Sequence, residues 1–227
     1  MTANQVRAVL LDALGTLVEL PAPWPALVAE LGARGVTIGE QEARAALLEE
    51  MAYYRAHHDE AVGPAELDDL RDRCTAVLRA ALPAHAREAG DLRGALLASL
   101  RFRPYPEVPA VLAALGALGV RRVVVSNWDV SLRGVLDDTG LAPLLDGVVI
   151  SAEVGAAKPD RAIFERALVV AGVAASEALH IGDTVEADLD GARAAGLRAL
   201  HLDRSGADPS SLRSLDALPG LLQSSLP

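Results

Sequence analysis

Short apolar runs, each breaking on a polar residue, punctuate much of the chain. Val6, Ala8, Val9, Leu10 and Leu11 stop at Asp12; Val123 to Val125 stop at Ser126 and Asn127; Ile181 leads through Gly182 to Asp183; Ala199 to Leu202 stop at Asp203. Runs this short and this apolar predict strands buried on both faces. The stretches VPAVLAALGALG, SLRGVLDDTG, DRAIFERALVVAG and VEADLDGARAAG separate RRVVVS, GVVISA, EALHIGD and LRALHLD, and they carry apolar residues at helical spacing. Strand and helix in alternation predict an α/β chain with a doubly wound parallel sheet and right-handed crossovers. The N-terminal strand must join that sheet, because one strand alone is not stable.

Between residues 21 and 100 the pattern changes. PAPWP at Pro21 to Pro25 reads as a stiff hinge. PALVAELGARG, GEQEARAALLEEMAYYRAHH, AELDDLRDRCTAVLRAAL and DLRGALLASL follow, each with helical periodicity and no strand-like alternation. The prolines of RPYPEVP mark the return connection. The expected organisation is a core of residues 1–20 and 101–227 interrupted by a helical insert, 21–100. The segment from Ser205 predicts a short final helix and a frayed end.

Composition narrows the partners. The 227 residues carry a formal charge of −10, which argues against a nucleic-acid or anionic-membrane surface. No apolar run reaches membrane-spanning length, and no N-terminal stretch has the form of a secretion signal, so a cytoplasmic location is expected. The oligomeric state is not readable. The single cysteine, Cys74, has no internal partner for a disulfide and lies among Leu67, Leu70, Val77 and Leu78 on a helix's apolar face. Every Lys/Arg position is arginine except Lys158, which precedes a proline at a helix start. A compact ammonium there suits a bound anion better than a planar guanidinium.

In a parallel sheet the C-terminal strand ends share one edge, where such folds place their ligands. Asp12, followed by a turn at Gly15 and by Thr16, is therefore a candidate nucleophile and metal ligand. Gly182 permits close backbone approach, Thr184 can cap the next helix, and Asp188 lies about one turn beyond Asp183. Three carboxylates at one edge repel one another unless a hard cation sits among them, and oxygen donors of this kind favour Mg²⁺. The chain has no G-x-x-x-x-G-K-[ST] and no G-x-S-x-G, which excludes a P-loop and a hydrolase nucleophile elbow.

DALGT (Asp12 to Thr16), VVVSN (Val123 to Asn127), the lysine of AAKPD (Lys158) and GDTVEAD (Asp183 to Asp188), in that order, resemble the motifs of the haloacid dehalogenase-like superfamily of hydrolases. The resemblance covers nearly the whole chain and points to the capped, phosphatase-type branch. It implies a Rossmann-like core, a helical cap and a covalent aspartyl intermediate on Asp12. It further implies Mg²⁺ held by Asp12, the Leu14 carbonyl and Asp183, with Asp188 acting through a metal-bound water. Ser126 and Asn127 would hydrogen-bond the transferring group, Thr16 would lie in the substrate site, and Lys158 would neutralise charge. The expected substrate is a small phosphorylated metabolite.

One position departs from that pattern. Phosphatases of the superfamily mostly place a second aspartate where Leu14 stands here, as the general acid and base. Its loss typically costs about 10²–10⁴-fold in rate. Three readings follow: a phosphatase restricted by its leaving group, an acid donated by the cap, or 2-haloacid dehalogenase chemistry, in which a halide leaves unprotonated. A catalytically weak binding module is a further alternative. Within YYRAHH, alongside Tyr53 and Tyr54, His57 or His58 is the candidate cap acid. Trp24 and Trp128 are candidates for a pocket wall or for packing, His180 and His201 read as core residues within strands, and His85 has no chemical context.

Overall fold

The structure, a computed structural model, describes residues 5–223. In chain order, β1 (Ala8–Leu11) and β2 (Val18–Glu19) precede the helices α1 (Trp24–Ala33), α2 (Glu40–His57), α3 (Pro64–Ala81) and α4 (Leu92–Ser99). There follow β3 (Arg103–Pro104), α5 (Val108–Ala117), β4 (Arg121–Ser126), α6 (Leu132–Asp138), β5 (Gly147–Ile150), α7 (Ser151–Val154), α8 (Arg161–Ala171) and β6 (Ala178–Gly182). A π-helical stretch at Val185–Asp190 runs into α9 (Gly191–Ala194), and β7 (Arg198–His201) and α10 (Leu218–Gln223) complete the described chain. The fold comprises two compact units, one running to Glu19 and resuming at Arg103, the other spanning Leu20–Phe102.

The first unit is built on a five-stranded sheet of order β5-β4-β1-β6-β7, in which every neighbouring pair is parallel. β1 is central: Ala8 stands opposite Arg121 on one side and Ala178 on the other. Helices cover the sheet, so Ala8, Val9, Leu10 and Leu11 are all fully buried, and this is why the strand has no polar alternation. Ala8, Leu10, Val123, Val125 and Val149 share a core cluster with Ile163, Phe164 and Ala167 of α8. Truncating Leu10 to alanine would cost about 2–5 kcal/mol by the usual cost of a core cavity. The chain leaves β1 for β4 and β5 on one side and later crosses to β6 and β7 on the other. That reversal opens a crevice beyond the C-terminal ends of β1 and its neighbours.

β2 and β3 form a separate antiparallel ribbon, with Val18 opposite Pro104. Two residues per strand, one of them proline, leave no periodicity to read, so the sequence showed only a connection there. The expected single helix over VEADLDGARAAG is instead π-helical at Val185–Asp190 before continuing as α9. At the start of this stretch the Asp188 backbone N–H reaches the Thr184 carbonyl at 2.8 Å, while the Asp188 Oδ2 accepts from the Thr184 N–H at 3.0 Å.

The second unit is helical. Leu27, Leu31, Ala43, Leu47, Leu70, Cys74, Leu78, Leu92 and Leu96 belong to one buried cluster, which gives Cys74 the packing role its neighbours predicted. Trp24 and Pro25, expected in a hinge, form the first turn of α1, where a missing N–H costs no hydrogen bond. The Trp24 ring packs against that cluster and lies under the Arg44 guanidinium. α10 is the short final helix that was expected; the frayed end at 224–227 lies outside the described residues. Among the described residues no helix is long and apolar enough to cross a membrane.

Candidate active site

Three strand ends, the loop that carries Lys158 and the π-helical stretch that carries Asp188 supply the site. Asp12 follows β1 directly, and its N–H is held by the Ile181 carbonyl at 2.9 Å, which ties the nucleophile candidate to the end of β6. Beyond it the chain turns at once. The N–H groups of Leu17 and Val18 both reach the Ala13 carbonyl, and Gly15 N–H donates to Val18 O at 2.8 Å. Gly15 has φ +84°, a conformation that disfavours any side chain, and a Cβ built there would stand 2.0 Å from Asp183 Oδ2. Glycine thus lets the loop press against Asp183.

Lys158 Nζ donates to Asp12 Oδ1 and to Asp188 Oδ1, each at 2.6 Å. Both pairs are buried. Asp188 also takes His180 Nε2 at 2.9 Å and the Thr184 N–H. Gly182 makes room for that carboxylate, since a Cβ there would lie 2.1 Å from Asp188 Cγ. Ser126 Oγ, at the end of β4, sits 3.5 Å from Asp12 Oδ1. Asn127 is spent on the lysine: its Nδ2 donates to Lys158 O at 2.8 Å and its Oδ1 accepts from Lys158 N–H at 2.7 Å. The side chain expected to touch substrate therefore fixes the peptide that carries the ammonium.

Thr16, expected in the substrate site, is fully buried, and its hydroxyl makes no hydrogen bond. Leu14 is 45% exposed, so its apolar side chain faces outward. Asp203 does not join the carboxylates; it accepts from the Ser205 and Asp208 N–H groups and builds a turn. In the second unit, the His57 ring stacks on Tyr53 and its Nδ1 lies 2.7 Å from the Tyr53 carbonyl, while His58 Nδ1 is 3.1 Å from Asp59.

The electrostatics follow from burial. Desolvation pushes the Asp12 carboxyl up to about 6 even with Lys158 beside it, and Asp188 adds to the rise. Asp183 is raised by burial and by Asp188. Asp188 goes the other way: burial opposes its charge, but the hydrogen bond from His180 and the Lys158 ammonium hold it well below the usual carboxylate range. Burial lowers His180, which keeps it neutral. Lys158 is raised, since its two carboxylate partners outweigh its burial. One positive charge thus faces three negative ones. Asp12, Asp183 and Asp188 each offer an oxygen within 4.8 Å of the others, a set of hard donors with an uncompensated negative charge, and this fits a hard divalent cation.

Sequence reasoning missed two parts of this arrangement. His180 reads as a core histidine, and it is fully buried, yet its ring nitrogen meets Asp188. Parallel register with β1 could have signalled it, since His180 pairs with Leu10 two residues before Asp12. The second is Arg204, just past β7, whose Nε and Nη2 donate to the carbonyls of Gly15 and Thr16 at 3.0 and 2.7 Å.

A family model described as haloacid dehalogenase-like hydrolase matches residues 6–196, and the chain belongs to that family. Among relatives, it is 42% identical over 105 residues to a phosphoserine phosphatase of Thermus thermophilus, covering 46% of this chain and 42% of that protein. The chain spans about half the length, or less, of the curated relatives it matches. A phosphatase of the superfamily from Thermococcus onnurineus superposes with a TM-score of 0.65 at 23% identity, over 96% of this chain and 98% of that one. A 2-haloacid dehalogenase from Pseudomonas syringae superposes with the same TM-score of 0.65 at 24% identity, over 98% and 100%. Equal superposition on the two means that the fold alone does not choose between their chemistries.

Proposed function

We propose that this chain is a Mg²⁺-dependent phosphomonoester hydrolase acting on a small phosphorylated metabolite. The observation that carries the reading is the excess of carboxylate at the Asp12 edge. An Asp183 set against Asp12 and Asp188 is unfavourable beside a single ammonium but favourable around a cation. Asp12, Asp183 and Asp188, with the Leu14 carbonyl, would hold the ion, which when bound neutralises phosphoryl charge as a Lewis acid.

An Asp12 oxygen attacks phosphorus as the ester P–O bond breaks, giving an aspartyl phosphate and an alkoxide, which takes its proton from water because Leu14 supplies none. Lys158 and the Ser126 hydroxyl, both buried, stabilise the negative charge on the transferring oxygens. Water then attacks phosphorus, the bond to Asp12 breaks, and inorganic phosphate leaves with the carboxylate regenerated. Asn127 keeps Lys158 at that position throughout.

A second reading is 2-haloacid dehalogenation, favoured by the apolar Leu14, since a departing halide needs no proton. Two assays separate them. Hydrolysis of an aryl phosphate that requires Mg²⁺ and disappears with chelator and in Asp12→Asn supports the phosphatase; halide release from a 2-haloacid that persists in chelator would replace it with the dehalogenase.

A further inference from the structure

We infer that Arg204 is a positioning residue that fixes the loop between Asp12 and Asp183 and so sets the cation affinity of the site. All three guanidinium nitrogens are engaged. Nε and Nη2 hold the consecutive carbonyls of Gly15 and Thr16, and Nη1 meets Glu107 Oε1 at 2.8 Å. The guanidinium carbon lies 3.4 Å from the centre of the Tyr105 ring, a stacked arrangement that removes its other degree of freedom. The Arg204 and Glu107 side chains keep only 18% and 12% of their exposure, so solvent screens the pair little. Tyr105 also donates its own N–H to the Leu17 carbonyl at 3.1 Å. Three carbonyls of the turn after Asp12 are therefore held by the segments after β3 and after β7.

The consequence runs through Gly15. That residue abuts the Asp183 carboxylate, with no room for even a methyl group between them. The loop's position thus determines where Asp183 stands relative to Asp12. A planar fork is what two adjacent carbonyls and a carboxylate require together; a lysine ammonium supplies one point charge and no stacking face. Each guanidinium nitrogen of Arg204 already has a partner on the protein, whereas it is Lys158 that meets Asp12, which separates their tasks. Groups that orient metal ligands in this way typically alter affinity or activity by about 10–100-fold when removed.

The kinetic arm of the test rests on the phosphatase reading; the binding arm does not. Mg²⁺ affinity is measured from the rise in melting temperature with Mg²⁺ and by Mn²⁺ titration followed by electron paramagnetic resonance, for wild type, Arg204→Ala, Arg204→Lys and Glu107→Gln. Arg204→Ala is expected to weaken cation binding by about 10–100-fold. Its kcat at fixed Mg²⁺ falls with it, while the KM for an aryl phosphate stays near the wild-type value. Arg204→Lys recovers only part of the loss, and Glu107→Gln, which keeps the guanidinium but loosens it, gives a smaller effect of the same sign. Should Arg204→Ala fail to fold, Glu107→Gln decides. Wild-type cation affinity in the folded variants, whatever their melting temperature, overturns the inference and leaves the phosphatase reading standing. Wild-type protein that takes up no cation overturns both.

Discussion

The Lys158 ammonium lies 2.6 Å from Asp12 Oδ1, with both side chains almost wholly withdrawn from solvent. Asp188 shares the same ammonium, so removing the lysine leaves two buried carboxylates unbalanced, a change that typically costs about 3–5 kcal/mol. Lys158→Met should therefore lower the melting temperature and, in folded protein, reduce kcat/KM for a phosphate ester by about 10²–10³-fold, the usual cost of losing one transition-state donor. Lys158→Arg should not restore the rate, because a larger planar group replaces a point charge in a closed space. Steady-state kinetics of both variants beside thermal melts check this.

Gly15 and Gly35 make a matched pair. Both have positive φ, +84° and +79°, but a Cβ on Gly15 meets Asp183 whereas one on Gly35 meets nothing within 4 Å. Each alanine substitution should cost about 1–2 kcal/mol for the left-handed backbone. Only Gly15→Ala should also raise the Mg²⁺ concentration needed for half-maximal activity. Equal Mg²⁺ dependence in the two variants would show that the contact with Asp183 has no bearing on the cation.

Most of the fold was legible in the sequence because it is local. The buried strand of Ala8 to Leu11 and the amphipathic α3 around Cys74 each declare themselves within a few residues. The carboxylates at the strand ends were legible too, since parallel topology sends Leu11, Ser126 and Gly182 to one edge. What escaped were tasks set by contacts distant in sequence. Asn127 and Lys158 are far apart in the chain, and nothing in VVVSN says that the amide grips the lysine peptide rather than a ligand. Arg204 comes just after Asp203, the polar residue on which the apolar run from Ala199 to Leu202 stops, and nothing in the sequence singles the arginine out. Only the three-dimensional arrangement shows the aspartate building a turn and the arginine reaching Gly15 and Thr16.

Glu50 gives a pH signature unconnected with the catalytic acids. It is 4% exposed in the core of the helical unit, and burial raises its pKa despite a hydrogen bond with Cys74 and the nearby charge of Arg55. A carboxyl raised in the folded state binds its proton more tightly there than in the unfolded chain. It therefore contributes stability below the unfolded pKa, and this is lost as pH rises through the folded one. Glu50→Gln mimics the protonated form, so the variant should melt above wild type at pH 8 and together with it near pH 4. Melting curves across that range test it; a constant offset at every pH would remove Glu50 as the cause.

Leu14 offers the most direct test of the chemistry. Its side chain is 45% exposed, so a carboxylate there incurs little desolvation, and the neighbouring Gly15 N–H is already fixed on Val18 O at 2.8 Å. Leu14→Asp should thus leave the turn intact. The new carboxyl would stand beside an edge that already carries Asp12, Asp183 and Asp188, and like charges raise its pKa, which favours a protonated form able to serve a leaving alkoxide. A general acid typically contributes about 10²–10⁴-fold, and its benefit grows with the basicity of the leaving group. Alkyl phosphates should therefore gain most, by up to about 10²-fold, and aryl phosphates least. The measurement is kcat/KM across esters of graded leaving-group pKa: wild type should fall steeply along the series and Leu14→Asp more gently. Parallel slopes in a folded variant would mean that a proton donor elsewhere already serves the leaving group, and that Leu14 does not limit the reaction.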